Sequence, residues 1–271
     1  MYSILLHIGD DDGLSARMQV ALDIARAFDG HITCLQPVNM EIFAPGDFYG
    51  SAMEGALPAI KERAEKLRAK IEDDLANEGV QWDWIFEEGI ALHRLLAHSA
   101  LKDLMVVGPT DIGVSSVGPS RMVGDLVLRS RTPVLVVPED QKGLDCFAPA
   151  MVAWNGSSEA CNAVRAALPL LKRASKVYLI KVSEEPHGDR HDFEPVEGAA
   201  YLSRHGVDCE IVEVPPGDAS ISDTLSAAAQ MRECSYMVMG AYGRSRLAEM
   251  LLGGVTRQSL KDPQLPVFLA H

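Results

Sequence analysis

Short apolar runs alternate with longer amphipathic segments along the first half of the chain. Leu14 to Phe28 has apolar residues at Met18, Leu22 and Ala25, a spacing that places them on one face of a helix. The runs on either side are short and apolar, as buried strands are. The pattern predicts strands at SILLHI, HITCLQPV, WDWIFEEG, DLMVVG and PVLVVP, with helices over 14–28, 56–77, 92–100 and 122–129.

The second half repeats this order. It predicts strands at MVAWNG, KVYLIKV, VDCEIVEV, YMVMG and PVFLA, with helices over 159–173 and 221–231 and a further one that ends near residue 204. Gly240 follows Gly108 by 132 residues, and Pro266 follows Pro133 by 133 residues. Offsets this similar in separate elements indicate a tandem duplication.

Strands that alternate with helices predict parallel sheets with right-handed crossovers and helices on both faces. We therefore expect an α/β protein with two tandem doubly wound domains, each a five-stranded parallel sheet. The domains span residues 1–140 and 148–271, joined by the polar stretch PEDQKGLDCFAP. A single continuous sheet would contradict this expectation. Ligands of such sheets bind beyond the carboxyl ends of the strands, which brings Asn155, Val182 and Gly240 together.

Composition narrows the class of protein. The net charge of −13 disfavours nucleic-acid binding, which needs clustered Lys and Arg. No apolar stretch approaches the roughly 20 residues that span a bilayer, and the N-terminus has no basic region typical of a secretory signal. The five cysteines are dispersed, as reduced thiols are. We expect a cytoplasmic protein with no nucleic-acid or membrane partner.

The segment VMGAYGRSRLAEMLLGGVT, residues 238–256, carries the most specific chemistry. A buried strand ends at Gly240, Gly243 follows, and Gly253 and Gly254 precede a helical segment and the last strand. Glycines between a strand and a helix let backbone N–H groups surround an anion, assisted by the helix dipole. Arg244 and Arg246 add positive charge to the same segment.

The spacing of these glycines resembles the phosphate-binding signature of the universal stress protein family, which runs Gly, two residues, Gly, nine residues, Gly, then Ser or Thr. Gly240, Gly243 and Gly253 match it, and Gly254 stands where the family has Ser or Thr. The resemblance covers essentially the whole chain and is tighter in the second half. It implies an adenine nucleotide alpha hydrolase-like fold with two pseudo-twofold related halves. The strands after Pro133 and Pro266 would pair as an internal pseudo-dimer, with a further homodimer left open.

The resemblance also implies a nucleotide site in the second half. Asn155 takes the position of the family's base-binding Asp, Val182 lines the adenine pocket, and the amides from Gly253 onward hold phosphate. The implied nucleotide-binding residues are Ala153, Trp154, Asn155, Val182, Met239, Gly240, Gly243, Arg244, Gly253, Gly254, Val255 and Thr256.

Each of these residues also has an ordinary structural interpretation. Asn155 and Ser157 are suited to cap the following helix. Trp154 either stacks on the base or packs at a strand end. Val182 suits a core, the glycines suit a tight turn, and the arginines suit solvent.

The first half departs from the signature. After Gly108 the chain runs PTDIGVSSVGPSRMVG, with no Gly at the second motif position. Asp111 would repel a phosphate, and His7 and Gly9 replace the family's Asp-containing turn. We expect a degenerate copy without nucleotide.

Other sites are disfavoured. The sequence has no G-x-x-x-x-G-K-[ST], no G-x-G-x-x-G after a strand and no G-x-S-x-G elbow. His187 and His191, with Asp189, Asp192 and Cys209, have a spacing that a zinc ion could use, but solvated loop residues explain them better. We expect no metal site.

Two function classes remain open. One is a stress-response protein regulated by ATP or a related adenine nucleotide, with or without Mg²⁺. It would be at most a slow ATPase, because no general base or metal-binding carboxylate accompanies the glycines. The other is a scaffold, or a binder of another ligand, that has lost nucleotide. Trp154 and Gly254 would be the marks of that loss.

Overall fold

The computed structural model of the chain describes residues 1–40, 49–111, 120–182, 193–215, 218–241 and 254–271, with the backbone alone for 49–56. The elements of the first half are β1 Ser3–His7, α1 Leu14–Phe28, β2 His31–Val38, α2 Tyr49–Leu75, β3 Gln81–Glu88, α3 Ala91–Ser99, β4 Leu104–Val107, α4 Arg121–Arg129 and β5 Val134–Val136. Those of the second half are β6 Ala150–Ala153, α5 Ser158–Leu171, β7 Val177–Val182, α6 Pro195–Arg204, β8 Cys209–Val214, α7 Ile221–Met231, β9 Tyr236–Gly240, α8 Gly254–Lys261 and β10 Val267–Ala270.

The strands follow the same order in both halves. The order is β3-β2-β1-β4-β5 in the first half and β8-β7-β6-β9-β10 in the second, and all pairs within a half are parallel. The predicted α/β class, with mostly parallel strands and helices between them, is confirmed.

The two halves join where β5 and β10 run antiparallel. Val134 lies opposite Leu269, and Val136 lies opposite Val267. These are the strands that follow Pro133 and Pro266, as the sequence predicts. The expectation of two separate sheets is wrong, because this pairing makes one ten-stranded sheet. Each five-stranded half would otherwise leave an unpaired strand edge at this position.

Helices cover both faces of the sheet. We call the side packed against α1, α2, α5 and α6 the first face, and the side packed against α3, α4, α7 and α8 the second face. Leu22, Leu75 and Leu170 belong to the core of the first face. Leu95 and Leu260 belong to the core of the second face. Successive side chains of a strand point to opposite faces, so neighbouring residues at a strand end contribute to different cores.

The structure also bears on a membrane-spanning helix and on a metal site. Among the described residues, no helix is both long enough and apolar enough to cross a membrane. The same part of the chain holds no group of three His, Cys, Asp or Glu side chains that could bind a metal ion. The histidines 187 and 191 lie outside the described residues.

Candidate functional site

Three strands of the second half end side by side. Ala153, the last residue of β6, lies between Ile180 of β7 and Met239 of β9. The amide of Trp154 continues this ladder, donating to the Ile180 carbonyl at 2.8 Å. Gly240 ends β9 beside Ala270 of β10. The structure thus brings these predicted site residues to one edge of the sheet.

The side chains at this edge divide between the two faces. Ala153, Val182, Met239 and Val255 all contribute to the core of the second face, where α7 and α8 pack on the sheet. Trp154 belongs to the first face and is only 5% exposed. Its indole Nε1 donates to the Phe193 carbonyl at 3.0 Å. The structure therefore separates Trp154 from the other four.

Asn155 and Ser157 together build the start of α5. The Asn155 Oδ1 atom accepts from the amide of Ser157 at 3.2 Å and from its hydroxyl at 2.7 Å. The Ser157 Oγ atom in turn accepts from the amide of Ala160 at 3.2 Å and so caps the helix. An amide oxygen has two lone pairs. Both lone pairs of Asn155 Oδ1 are therefore engaged, although the residue itself is exposed.

Gly240 permits a close contact between β9 and the first turn of α5. A Cβ atom added at Gly240 would lie 2.5 Å from the amide nitrogen of Ala160 and 2.5 Å from the carbonyl carbon of Glu159. Backbone atoms cannot move aside as a flexible side chain can. Gly240 is therefore required for packing, whether or not a ligand binds beside it.

The start of α8 is open. Gly254 is exposed, and a Cβ atom added there would have no neighbour within 4 Å among the residues that the structure describes. The first-turn amides of a helix have no acceptor within the helix, and the helix dipole makes this end attractive to anions. Thr256, at 5% exposure, lies on the packed side of α8 with Ser259 and Leu260. Gly243, Arg244 and Gly253 lie outside the described residues.

Hydrogen bonds to α7 hold α8 in place. The hydroxyls of Ser222 and Ser259 are 2.9 Å apart and both residues are buried. The Gln258 side-chain amide donates to the Ser220 hydroxyl at 3.0 Å. The orientation of α8, and of its open end, is therefore set by the described part of the fold.

A comparison with protein families finds a match in this half of the chain. Residues 147–271 match the profile of the universal stress protein family. None of the curated proteins compared with the sequence matches it.

Some solved structures resemble a larger part of the chain than the family profile matches. A universal stress protein from Archaeoglobus fulgidus DSM 4304 is 18% identical, with a TM-score of 0.73, 99% of this chain covered and 96% of the other. A protein from Pseudomonas aeruginosa UCBPP-PA14, provisionally described as a universal stress protein, is 15% identical, with a TM-score of 0.58 and 99% and 93% coverage. At these identities the likeness concerns the fold.

A smaller relative is described with a ligand. A universal stress protein family protein from Arabidopsis thaliana, with AMP bound, is 19% identical over 45% of this chain and 90% of its own, with a TM-score of 0.33. A likeness this low carries no argument about the ligand of this chain.

The first half, which lies outside the residues that match the family profile, has the helix α4 in place of α8. The Asp111 carboxylate accepts from the amides of Arg121 at 3.0 Å and Met122 at 3.3 Å, and from the Ser120 hydroxyl. The Ser120 hydroxyl oxygen accepts from the amide of Val123 at 3.1 Å. The start of α4 is therefore occupied by an anion that the chain itself supplies.

A buried ion pair fills the space beside Gly108 in this half. Both terminal nitrogens of Arg17 donate to Asp11, at 2.7 Å each, and its Nε donates to the His7 carbonyl at 3.3 Å. The side chain of Arg17 is 2% exposed and that of Asp11 is 19% exposed. A Cβ atom at Gly108 would lie 2.7 Å from Arg17 Nη1. The second half has the backbone of α5 at the corresponding place, beside Gly240.

His7 ends β1 as Ala153 ends β6, and its ring is bulkier than the methyl group of Ala153. The residue is 2% exposed, and Nε2 has no hydrogen-bond partner among the described residues. Burial, reinforced by the charge of Arg17, lowers the pKa of His7 to about 3. The imidazole is therefore neutral at pH 7, and it occupies this strand end in the first half.

Proposed function

We propose that the protein is a stress-response protein that binds ATP or a related adenine nucleotide at the carboxyl edge of its second half. The nucleotide would act as a regulatory ligand, with or without Mg²⁺, and would be hydrolysed slowly if at all. The match of residues 147–271 to the universal stress protein family supports the choice of this half.

The contrast between α8 and α4 carries the proposal. No described residue lies within 4 Å of a Cβ at Gly254, where α8 begins, whereas Asp111 already occupies the start of α4. An anion bound at the open end would receive backbone hydrogen bonds and the favourable end of the helix dipole. The amides of Gly254 and Val255 are the donors that we assign to phosphate. Thr256 assists through its first-turn amide, because its side chain lies on the packed side of α8. By sequence alone, Gly243, Arg244 and Gly253 complete this part of the site.

The base would lie against the second face. Ala153, Val182 and Met239 form an apolar wall there, of the kind that lines small-molecule sites. Because both lone pairs of Asn155 Oδ1 are engaged with Ser157, we assign Asn155 to positioning the start of α5 beside the base. Trp154 packs on the opposite face and so does not obstruct the base.

We propose that the first half is a diverged copy that holds no nucleotide. Three of its own groups occupy the corresponding positions: Asp111 at the helix start, Arg17 beside Gly108, and His7 at the end of β1. The identical strand order of the two halves supports the duplication. The domain limits of 1–140 and 148–271, the cytoplasmic location and a further homodimer stay predictions.

Gly254→Ser is expected to strengthen ATP binding by up to about tenfold. The open space around Gly254 accepts the side chain, and one net hydrogen bond to phosphate contributes about 1 kcal/mol. Gly254→Ala is the matched control, since it adds a Cβ of the same kind without a hydroxyl. Calorimetric titration with ATP should show tighter binding for the serine variant alone. An equal gain for both variants would contradict a phosphate contact at this position.

A further inference from the structure

A cavity of about 260 Å³ lies between α5 and α6 on the first face, away from the proposed nucleotide site. Its lining residues are Trp154, Cys161, Val164, Arg165, Phe193, Glu197, Gly198, Tyr201 and Arg204. The aromatic side chains of Trp154, Phe193 and Tyr201 dominate its apolar part. The cavity is smaller than the roughly 300–1,000 Å³ typical of sites for drug-sized ligands. A ligand of one or two rings suits its volume.

The fold holds the Trp154 ring in a fixed place at this cavity. Its Nε1 donates to the Phe193 carbonyl, and α6 packs directly on the ring at Gly198. A Cβ atom at Gly198 would lie 3.0 Å from Trp154 Cη2 and 3.0 Å from Leu179 Cδ1. The indole is therefore held rigidly, and the small part of it that is exposed belongs to the apolar wall of the cavity.

Two arginine side chains bring positive charge to the rim of the cavity. Arg165 and Arg204 are both exposed, and neither forms an ion pair with a residue that the structure describes. The one acidic residue of the lining, Glu197, accepts a hydrogen bond from the amide of Glu194 at 2.9 Å, as part of the α6 cap. Two guanidinium groups that have no ion pair among the described residues favour an anionic ligand at this place, although the net charge of the chain is −13.

Cys161 adds a neutral group to the wall. Burial and the nearby Glu197 carboxylate raise the pKa of its thiol. The thiol therefore stays protonated at neutral pH, and a protonated thiol is a poor nucleophile. The chemistry of the cavity is that of reversible binding.

We propose that this cavity binds a compact aromatic carboxylate, with its ring against Phe193, Tyr201 and the exposed edge of Trp154 and its carboxylate paired with Arg165 and Arg204. Arginine suits this role because its planar group donates two parallel hydrogen bonds to a carboxylate. The site does not depend on the proposed nucleotide site, since the two lie on opposite faces of the sheet.

Calorimetric titration of the wild-type protein with indole-3-carboxylate tests the proposal. We expect one site per chain with submillimolar affinity, and at least tenfold weaker binding of the neutral indole-3-carboxamide. Arg165→Ala combined with Arg204→Ala should weaken carboxylate binding at least tenfold. Arg131→Ala, which removes an exposed arginine of the first half, should leave it unchanged. Saturating ATP should not displace the carboxylate.

Fluorescence locates the ligand independently. The chain has three tryptophans, so Trp82→Phe with Trp84→Phe leaves Trp154 alone as the reporter. Its emission should change with the same dissociation constant as the calorimetry gives. Absence of binding to the wild-type protein at 10 mM probe would overturn the proposal. So would equal affinity for the carboxamide, or unchanged affinity in the double arginine variant.

Discussion

Asp11→Ala is expected to lower the free energy of unfolding by about 3–5 kcal/mol. The substitution leaves the Arg17 guanidinium buried without its anion, and an uncompensated buried charge is costly. It also removes the acceptor for the amide of Gly13 at 3.0 Å. Urea denaturation followed by circular dichroism measures the loss.

Two controls isolate the buried charge in this experiment. Asp10→Ala removes the neighbouring carboxylate, whose partner Arg63 is 74% exposed, and should cost less than about 1 kcal/mol. Arg17→Met added to Asp11→Ala should recover most of the loss, because no unpaired charge then remains. Equal losses for Asp10→Ala and Asp11→Ala would show that the pair beside Gly108 is not a buried ion pair.

Gly240→Ala is expected to destabilise the protein by about 3 kcal/mol and to weaken ATP binding. The new Cβ would lie 2.5 Å from backbone atoms of Glu159 and Ala160, so β9 and α5 would have to separate. Overpacking of this kind commonly costs 1–3 kcal/mol, and more where the neighbours cannot relax. The same denaturation measurement applies.

Gly254→Ala serves as the control for that substitution as well. Its Cβ meets no described residue within 4 Å, and alanine favours helix over glycine by up to about 1 kcal/mol. The midpoint of unfolding should stay the same or rise. A Gly240→Ala variant as stable as the wild type would mean that β9 and α5 do not approach as closely as described.

The order of strands and helices could be predicted from hydrophobic periodicity. Short apolar runs mark the buried strands, and the repeated offset between Gly108 and Gly240 marks the two halves. The joining of the halves into one sheet was not predicted, although the pairing of β5 with β10 was. Pairing β5 with β10 necessarily joins the two five-stranded sheets into one. The predicted pairing was therefore incompatible with the expectation of two separate sheets.

The candidate site was less predictable, because the neighbours of a side chain at a strand end belong to helices that are distant in the sequence. Trp154 follows Ala153 directly, and the alternation of a strand sends the two to opposite faces. The close contact at Gly240 depends on the path of α5, which a glycine spacing does not reveal.

The buried pair of Arg17 and Asp11 was missed, although the sequence carries a signal for it. Leu14, Arg17 and Ala21 recur at helical spacing, so the arginine falls on the apolar stripe of α1. A charged residue in such a position needs a buried partner. Its position predicts a partner carboxylate, and three acidic residues, Asp10 to Asp12, lie five to seven residues upstream, just before the helix begins.

Calorimetric titration with ATP of the wild type, of Gly254→Glu and of Arg121→Glu tests the central claim most directly. These residues begin the corresponding helices α8 and α4, and a carboxylate at the open start of α8 would repeat what Asp111 does at α4. We expect one nucleotide per wild-type chain, no detectable binding by Gly254→Glu and unchanged binding by Arg121→Glu. Two equivalent sites, no binding by the wild type, or loss of binding in Arg121→Glu alone would contradict a single nucleotide site in the second half.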